Sequence, residues 1–515
     1  MTDQANGSAQ TVVTLARDTN QAWGIGQYAL DMFAGKYQPP SAHVVARLEQ
    51  FHLDSIACGI SAIACHTNAP LVLRNEAHQY PFQAGEGRRA TCFGSDVGVA
   101  PEKAVVANTA AVREWDANGT NFGYDPARGA TAGEFGHNDF YPVAIAAAQL
   151  AGLDGRQALM GMLVIDEIRG RLAEVFSLKD YKIDHVVHGA IASAAVYGAM
   201  CGATAQQIES ALGLLVAHYI PFRAIRAGKQ LSDSKGASAA ISSEVAVISM
   251  RRAMAGFVGP ADIFRNPQAI FCLFQPPGKQ DVSPFDLHLT TSGDDFAVMG
   301  MHFKLGLYEH QSAGAIDALI QLLVDHPSLL KNPDQIERLV VRVYEPAYGI
   351  ICDPAKRDPR TRQSADHSMV YILATLLRKA IERQKAGWKE LMLTPSDYDD
   401  DALRNERTRQ LIQKIDVAHG GPEYDAKYPD GIPTSVDIQS SDEGHLSSGL
   451  VMYPPGHARN TTADLEDLLE FKFKRLAALG VDDVEALYKR YANLTTKTDV
   501  DIANIHDFSI RDVAK

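Results

Sequence analysis

The hydrophobic period of this chain changes partway along and returns to helical in the tail, and that limits what it can fold into. From Ser41 to about Gly256 apolar residues recur at helical spacing. Thr204-Ala-Gln-Gln207 has the spacing of a capping box, and Ile208, Leu212 and Leu215 then fall at i, i+4 and i+7. The Ala-rich runs 144–152 and 188–200 favour helix, and their small side chains let helices approach closely. Beyond about residue 295 the pattern shortens. Arg338–Tyr344 alternates and is rich in β-branched residues, which predicts a strand. Ser435–Gln439 predicts a second strand, and after the turn-like Asp442-Glu-Gly444 the run Leu450–Tyr453 is expected to close a hairpin. A helix is expected over His367–Ala380. In the tail Leu465, Leu468, Leu469, Leu476 and Leu479 make one stripe, and Gly480 stands at a C′-like position. That stripe needs a partner, and the first helical region supplies one.

The pattern therefore predicts a mainly α protein. A large all-α helical domain has its N-terminal part in 1–295, a smaller α+β domain occupies 296–460, and helices over 461–515 complete the first domain. A chain of 515 residues is long enough for two such cores. With 46% hydrophobic and 22% charged residues, disordered and fibrous classes are excluded.

The net charge of −13 argues against a nucleic-acid or anionic-membrane partner, because both require clustered cations. It does not forbid an anionic substrate. Surface charge is screened beyond roughly 8–10 Å, and a few enclosed Arg, Lys and His residues can set a local positive potential. Six cysteines without a C-x-x-C pair read as reduced thiols of a cytosol-like compartment. The first residues show neither a secretory nor an Arg-rich transit pattern, so a cytoplasmic protein is expected, or a mitochondrial-matrix one in a eukaryote. The uncharged stretch 186–208 is too rich in Ala and Gly for a membrane span and predicts a packed helix pair.

Some motifs can be set aside. Gly24-Ile-Gly26-Gln-Tyr-Ala29 matches a dinucleotide fingerprint only on paper, since no hydrophobic strand precedes it. No P-loop, HExxH or G-x-S-x-G motif is present, and the cysteine spacing does not suit an aconitase-type iron–sulfur cluster.

Other polar groups carry more information. Arg113-Glu-Trp-Asp116-Ala-Asn-Gly-Thr120 continues, sixteen residues after Thr120, into His137-Asn-Asp139. Taken alone this is a capped, Gly-studded loop before an apolar helix. Arg223 and Arg226, at i and i+3, share one helical face or turn and suit a carboxylate, though such a pair taken alone is more often a solvated basic face. His185 beside Asp184, and His310 beside Glu309, would singly be structural more often than catalytic.

In combination these segments are more specific. The Arg113–His137 segment, His185 before its Ala-rich helix, Lys235 in SDSKGASAA, FKLGLYEHQSAGAIDAL (303–319), Asp366-His-Ser-Met-Val-Tyr371 and YPPGHAR (453–459) together resemble the MmgE/PrpD family over roughly residues 40–490. The resemblance implies a helical domain built from both chain ends, a lid between them, a cleft active site, a homodimer and no metal or other cofactor. It also implies a hydro-lyase reaction, dehydration of the tricarboxylate 2-methylcitrate to 2-methyl-cis-aconitate in propionate catabolism through the methylcitrate cycle. Decarboxylation of cis-aconitate to itaconate is the alternative on the same scaffold, and a non-catalytic helical binding protein a more distant one. The expected catalytic residues are Asp116, Thr120, His137, His185, Lys235 and His310; Arg223, Arg226, Tyr371 and His367 are expected to bind substrate.

Overall fold

Helix starts in this chain are set by short polar side chains, and the first two show how. Asn20 caps α1 (Gln21–Phe33) by accepting the Trp23 N–H, and Ser41 caps α2 (Ala42–Ala64) by accepting that of Val44. In the computed structural model, residues 11–125, 130–226 and 230–511 are described, the side chains of 121–137 excepted. Further helices are α3 (Asn68–Ala77), α4 (Pro101–Arg113), α5 (Tyr141–Ala151), α6 (Gly155–Val175), α7 (Val186–Met200), α8 (Ala205–His218) and α9 (Asp233–Met254). The capping box at Thr204 forms as expected, its hydroxyl accepting the Gln207 N–H while Gln207 accepts that of Thr204. The stretch 186–208 is the buried helix α7 and the start of α8. Among the described residues no single helix is long and apolar enough to cross a membrane.

Small residues let this layer pack tightly. The α1 glycines of the paper fingerprint serve that purpose: a Cβ at Gly26 would lie 3.0 Å from Ile208 on α8. Helix α9 packs against both α4 and α7. The C-terminal end of α4, the N-terminal end of α7 and the first turn of α9 carry Arg113, His185 and Lys235, so one region of the layer gathers a guanidinium, an imidazole and an ammonium.

Two-stranded ribbons interrupt the helices. β1 (Val12–Leu15) pairs with β6 (Leu287–Thr290), β2 (Ala90–Thr91) with β3 (Gly98–Val99), and β4 (Thr120–Asp125) with β5 (Ala130–His137). The first region is thus not purely helical, a correction to the all-α expectation. The β4–β5 hairpin was hidden because its Gly-rich, acidic sequence reads as capping loop. It explains the long spacing from Thr120 to His137, which it sets opposite each other in backbone register.

The predicted strands form one mixed sheet of β7 (Ile336–Val343), β8 (Ile415–His419), β9 (Thr434–Ser440) and β10 (Gly444–Ser447), ordered β10-β9-β7-β8 with only β7 and β8 parallel. The hairpin partner of β9 is Gly444–Ser447 rather than Leu450–Tyr453, whose Val451 makes only an isolated bridge to Thr434. Gly444 at φ +78 makes the turn tighter than the hydrophobic pattern suggests. The helix Met369–Arg383 lies in the crossover from β7 to β8 and packs on the helix Ala313–Asp325.

The tail helix Leu465–Gly480 packs on α2, as its leucine stripe requires. Gly480 is the last helical residue rather than a left-handed cap. It is small because a Cβ there would come within 2.5 Å of Ile60 Cγ2 on α2.

Candidate active site

Asp116 stands at φ +52, a left-handed backbone that a non-glycine residue adopts at some cost. Its neighbours hold the corner in place. Glu114 accepts from Arg362 Nη2 at 2.6 Å, Trp115 Nε1 donates to Ser61 Oγ of α2 at 2.9 Å, and the Arg362 guanidinium lies over the indole. The Lys472 ammonium, wholly buried on the tail helix, donates to the carbonyls of Ala117 and Lys304 and pairs with Asp54 Oδ1 at 2.6 Å. One lysine from the far end of the chain thus ties together the two loops that form the site.

The Asp116 carboxylate is surrounded by cations. Arg113 Nη1 donates to Oδ1 at 2.6 Å, the Lys304 ammonium donates to the same oxygen, and Lys235 Nζ lies 2.9 Å from Oδ2. His367 Nε2 is 3.3 Å from Oδ2, and its Nδ1 is 2.6 Å from Asp366 Oδ1. Burial alone would raise the Asp116 pKa, but Arg113, Lys235 and Lys304 hold it well below the ordinary carboxylate range. Burial, with Lys235 beside it, lowers His367 to about 4, leaving a neutral ring at physiological pH. Asp116, Asp366 and His367 are spaced closely enough to embrace a cation, yet Lys235, Lys304, Arg113 and Arg362 already take up the two carboxylates.

A second carboxylate organises the opposite part of the site. The segment before Arg223 lies along 182–184, with the Asp184 N–H on Pro221 O and the Arg223 N–H on Lys182 O. The single turn Arg223–Arg226 therefore brings the Arg226 guanidinium onto Asp184, whose Oδ1 is also 3.6 Å from His185 Nδ1. Burial drives the His185 pKa well below its usual value; the Asp184 charge opposes it, but Arg226, Arg113 and Arg223 push the same way as burial, so this imidazole is neutral.

These groups share a cleft with about 540 Å³ of empty space, lined by Arg113, Asp116, His185, Arg223, Arg226, Lys235, Glu309, Lys356 and His367, with Leu231 and Ile350 as its apolar wall. Five of those side chains are Arg or Lys, so the cleft is cationic within a protein of net charge −13. Helices α4, α7 and α9 supply one wall. Glu309, Ile350, Lys356 and His367 supply the other from segments around the mixed sheet. Arg223 and Ile350 also line a wider outer hollow with Lys179 and Lys182 at its edge.

Six of the expected residues, Asp116, His185, Arg223, Arg226, Lys235 and His367, meet in this cleft. Of the other four, three lie outside this lining. Thr120 is buried, its backbone paired with His302, and is not in the lining. The His137 side chain lies outside the described residues. His310 is stacked 4.9 Å from His302, which in turn lies 3.9 Å from His457, in a buried imidazole cluster beside the cleft. The Tyr371 hydroxyl donates to Asp397 O at 2.8 Å, in the interior, so the expected catalytic place of His310 and the expected substrate contact of Tyr371 do not match their positions. Sequence reading missed Arg113, Lys304, Glu309 and Lys356 as site residues. Lys304 and Glu309 lie in the 303–319 block, where the only signal was their charge within an apolar run.

A cationic cleft holding a neutral imidazole and an ionised aspartate is equipped to bind a small polyanion and move protons at it. Residues 28–281 match the MmgE/PrpD N-terminal domain and residues 308–495 the MmgE/PrpD C-terminal domain. The chain belongs to the MmgE/PrpD family. Among curated relatives it is 26% identical to a 2-methylcitrate dehydratase of Salmonella typhimurium over 336 residues, 64% of this chain and 65% of that protein. It is 25% identical to the 2-methylcitrate dehydratase of Escherichia coli strain K12 over 63% of this chain and 64% of the relative. A mitochondrial 2-methylcitrate dehydratase of Yarrowia lipolytica is 25% identical over 74% of this chain and 78% of its own. The match thus spans just under two thirds of the length of the bacterial relatives.

Proposed function

We propose that the chain is a hydro-lyase that dehydrates 2-methylcitrate to 2-methyl-cis-aconitate in propionate catabolism. The observation that carries this is the meeting of Asp116, His185 and Lys235 in one cleft lined with Arg and Lys. The names of the relatives support the choice of substrate.

The reaction removes a weakly acidic proton from the carbon bearing the methyl group and expels the hydroxyl from the adjacent carbon. Lys235, Arg223 and Arg226 hold substrate carboxylates, and guanidinium forks suit that geometry. Their charge also stabilises the enediolate-like density that develops as the proton leaves. His185, neutral and enclosed, takes the proton. Its pKa is depressed chiefly by burial, and a bound tricarboxylate opposes the arginines that add to that, raising its basicity as substrate arrives. Asp116 stays ionised and fixes Lys235 and His367. His137 and Thr120, joined by the β4–β5 register, belong to the same set on the family resemblance. The same resemblance supports a division into a helical body and a lid, a homodimer and a cytoplasmic or mitochondrial-matrix location.

Incubation of the purified protein with 2-methylcitrate and, separately, cis-aconitate tests the proposal. The expected result is ultraviolet absorbance of a new conjugated alkene from 2-methylcitrate alone. Carbon dioxide and itaconate from cis-aconitate would make the protein a decarboxylase instead. Silence with every tricarboxylate, from a protein that nonetheless binds them, would leave a binding role.

A further inference from the structure

The hydroxyl departing from 2-methylcitrate needs a proton, and His185 cannot be at once the empty base and the donor. Among the described residues two carboxyls line the cleft, and their surroundings differ. Asp116 has Arg113, Lys235 and Lys304 upon it. Glu309 has no ammonium or guanidinium partner among the described residues. Its Oε2 accepts the Gln311 N–H at 2.8 Å, and its own N–H donates to Asp366 O at 2.8 Å, which fixes the stem. No hydrogen bond within the described chain engages Oε1. We infer that Glu309 is the general acid that protonates the departing hydroxyl, an assignment that rests on the dehydratase function proposed above.

The electrostatics agree with that placement. Burial is the largest influence on Glu309 and raises its pKa; the Asp116 charge raises it further, and Lys304, the Gln311 N–H and Lys356 lower it only in part, leaving it at about 7. Tyr344 and Cys352 also stand near the carboxyl, and burial keeps both in their neutral forms. Lys235, His185 and His367 face it across the cleft. A carboxylic acid poised near neutrality suits proton donation at physiological pH.

The step balances as follows. The C–H electron pair becomes the new C=C bond as His185 Nδ1 or Nε2 accepts the proton, the C–O bond breaks, and the departing oxygen takes both the bonding pair and the Glu309 proton. Alkene and water are released. His185 is left as imidazolium and Glu309 as carboxylate, and proton exchange with water restores both.

The test uses two substrates, 2-methylcitrate and its analogue with fluorine in place of the hydroxyl, because fluoride leaves without needing a proton. For wild-type enzyme, kcat on 2-methylcitrate is expected to fall as pH rises through about 7, while fluoride release lacks that alkaline limb. Glu309→Gln is expected to lower kcat on 2-methylcitrate by about 100-fold or more with little change in KM, and to slow fluoride release by only a few-fold. Equal losses on both substrates would show a merely structural role, and an unchanged kcat on 2-methylcitrate would remove Glu309 from the chemistry; either overturns the assignment while the dehydratase function stands. Should Glu309→Gln fail to fold, the wild-type comparison decides alone, and the same alkaline limb on both substrates overturns the assignment. Wild-type enzyme inert toward 2-methylcitrate would overturn the function and the assignment together.

Discussion

Asp116 holds the site together through charge. Its carboxylate neutralises Arg113, Lys235 and Lys304, all of them buried, and each of those cations is costly to bury alone. Asp116→Asn keeps the shape and removes the charge, so it is expected to lower unfolding stability by about 3–5 kcal/mol and to abolish turnover. Denaturant titration beside an activity assay checks both; a stable, active variant would show that the cluster does not depend on Asp116. At this scale the sequence revealed polar residues set in Gly- and Ala-rich surroundings, such as Asp116, His185 and Lys235. Lys304 and Glu309 carry no such signal, each being a single charge in an apolar run. Tyr371 misled for another reason: whether a buried hydroxyl faces a ligand or a backbone carbonyl depends on packing, and here Asp397 O takes it.

At the scale of elements, the tail helix positions the site although it contributes no lining residue. Lys472 donates to Ala117 O and Lys304 O, the carbonyls beside and within the Asp116–Lys304 pair. Lys472→Met retains the length of the side chain but leaves Asp54 and both carbonyls without their donor. It is expected to cost about 3–5 kcal/mol of stability and, at temperatures where the variant remains folded, to lower kcat more than it raises KM. An unchanged kcat in the folded variant would mean that the loops keep their geometry unaided. The leucine stripe showed that this helix needed a partner but not that a lysine on it served the site, because a buried lysine resembles a surface one in sequence. Gly480 was similarly ambiguous, since close approach and left-handed capping both select glycine. The β4–β5 hairpin escaped notice because loop, cap and ribbon draw on the same small polar residues.

For the whole molecule, the change of period correctly located the mixed sheet, and the negative net charge correctly left room for an enclosed cationic cleft. Composition could not show how many histidines are buried in neutral form. Burial lowers His52 to about 3 and His188 and His506 to about 4. Each binds its proton more weakly in the folded than in the unfolded chain, so each favours folding less as pH falls below about 6.5, by about 1.4 kcal/mol per pH unit until the folded pKa is reached. Asp116, held low, adds a loss of the same sign below about pH 4. Glu309, raised to about 7, works the other way over this range but is outnumbered by the histidines, so stability is expected to fall by a few kcal/mol between pH 7 and 5, and Tm measured across that range should decline. A flat profile would contradict the burial of neutral imidazoles.

We propose that side chains alone bind the tricarboxylate and move its protons. The most direct measurement is turnover of 2-methylcitrate by purified enzyme before and after exhaustive dialysis against a chelator. Undiminished formation of the conjugated alkene, abolished by Lys235→Ala in a protein that still folds, is the expected result. Activity lost on dialysis and restored by iron would contradict it.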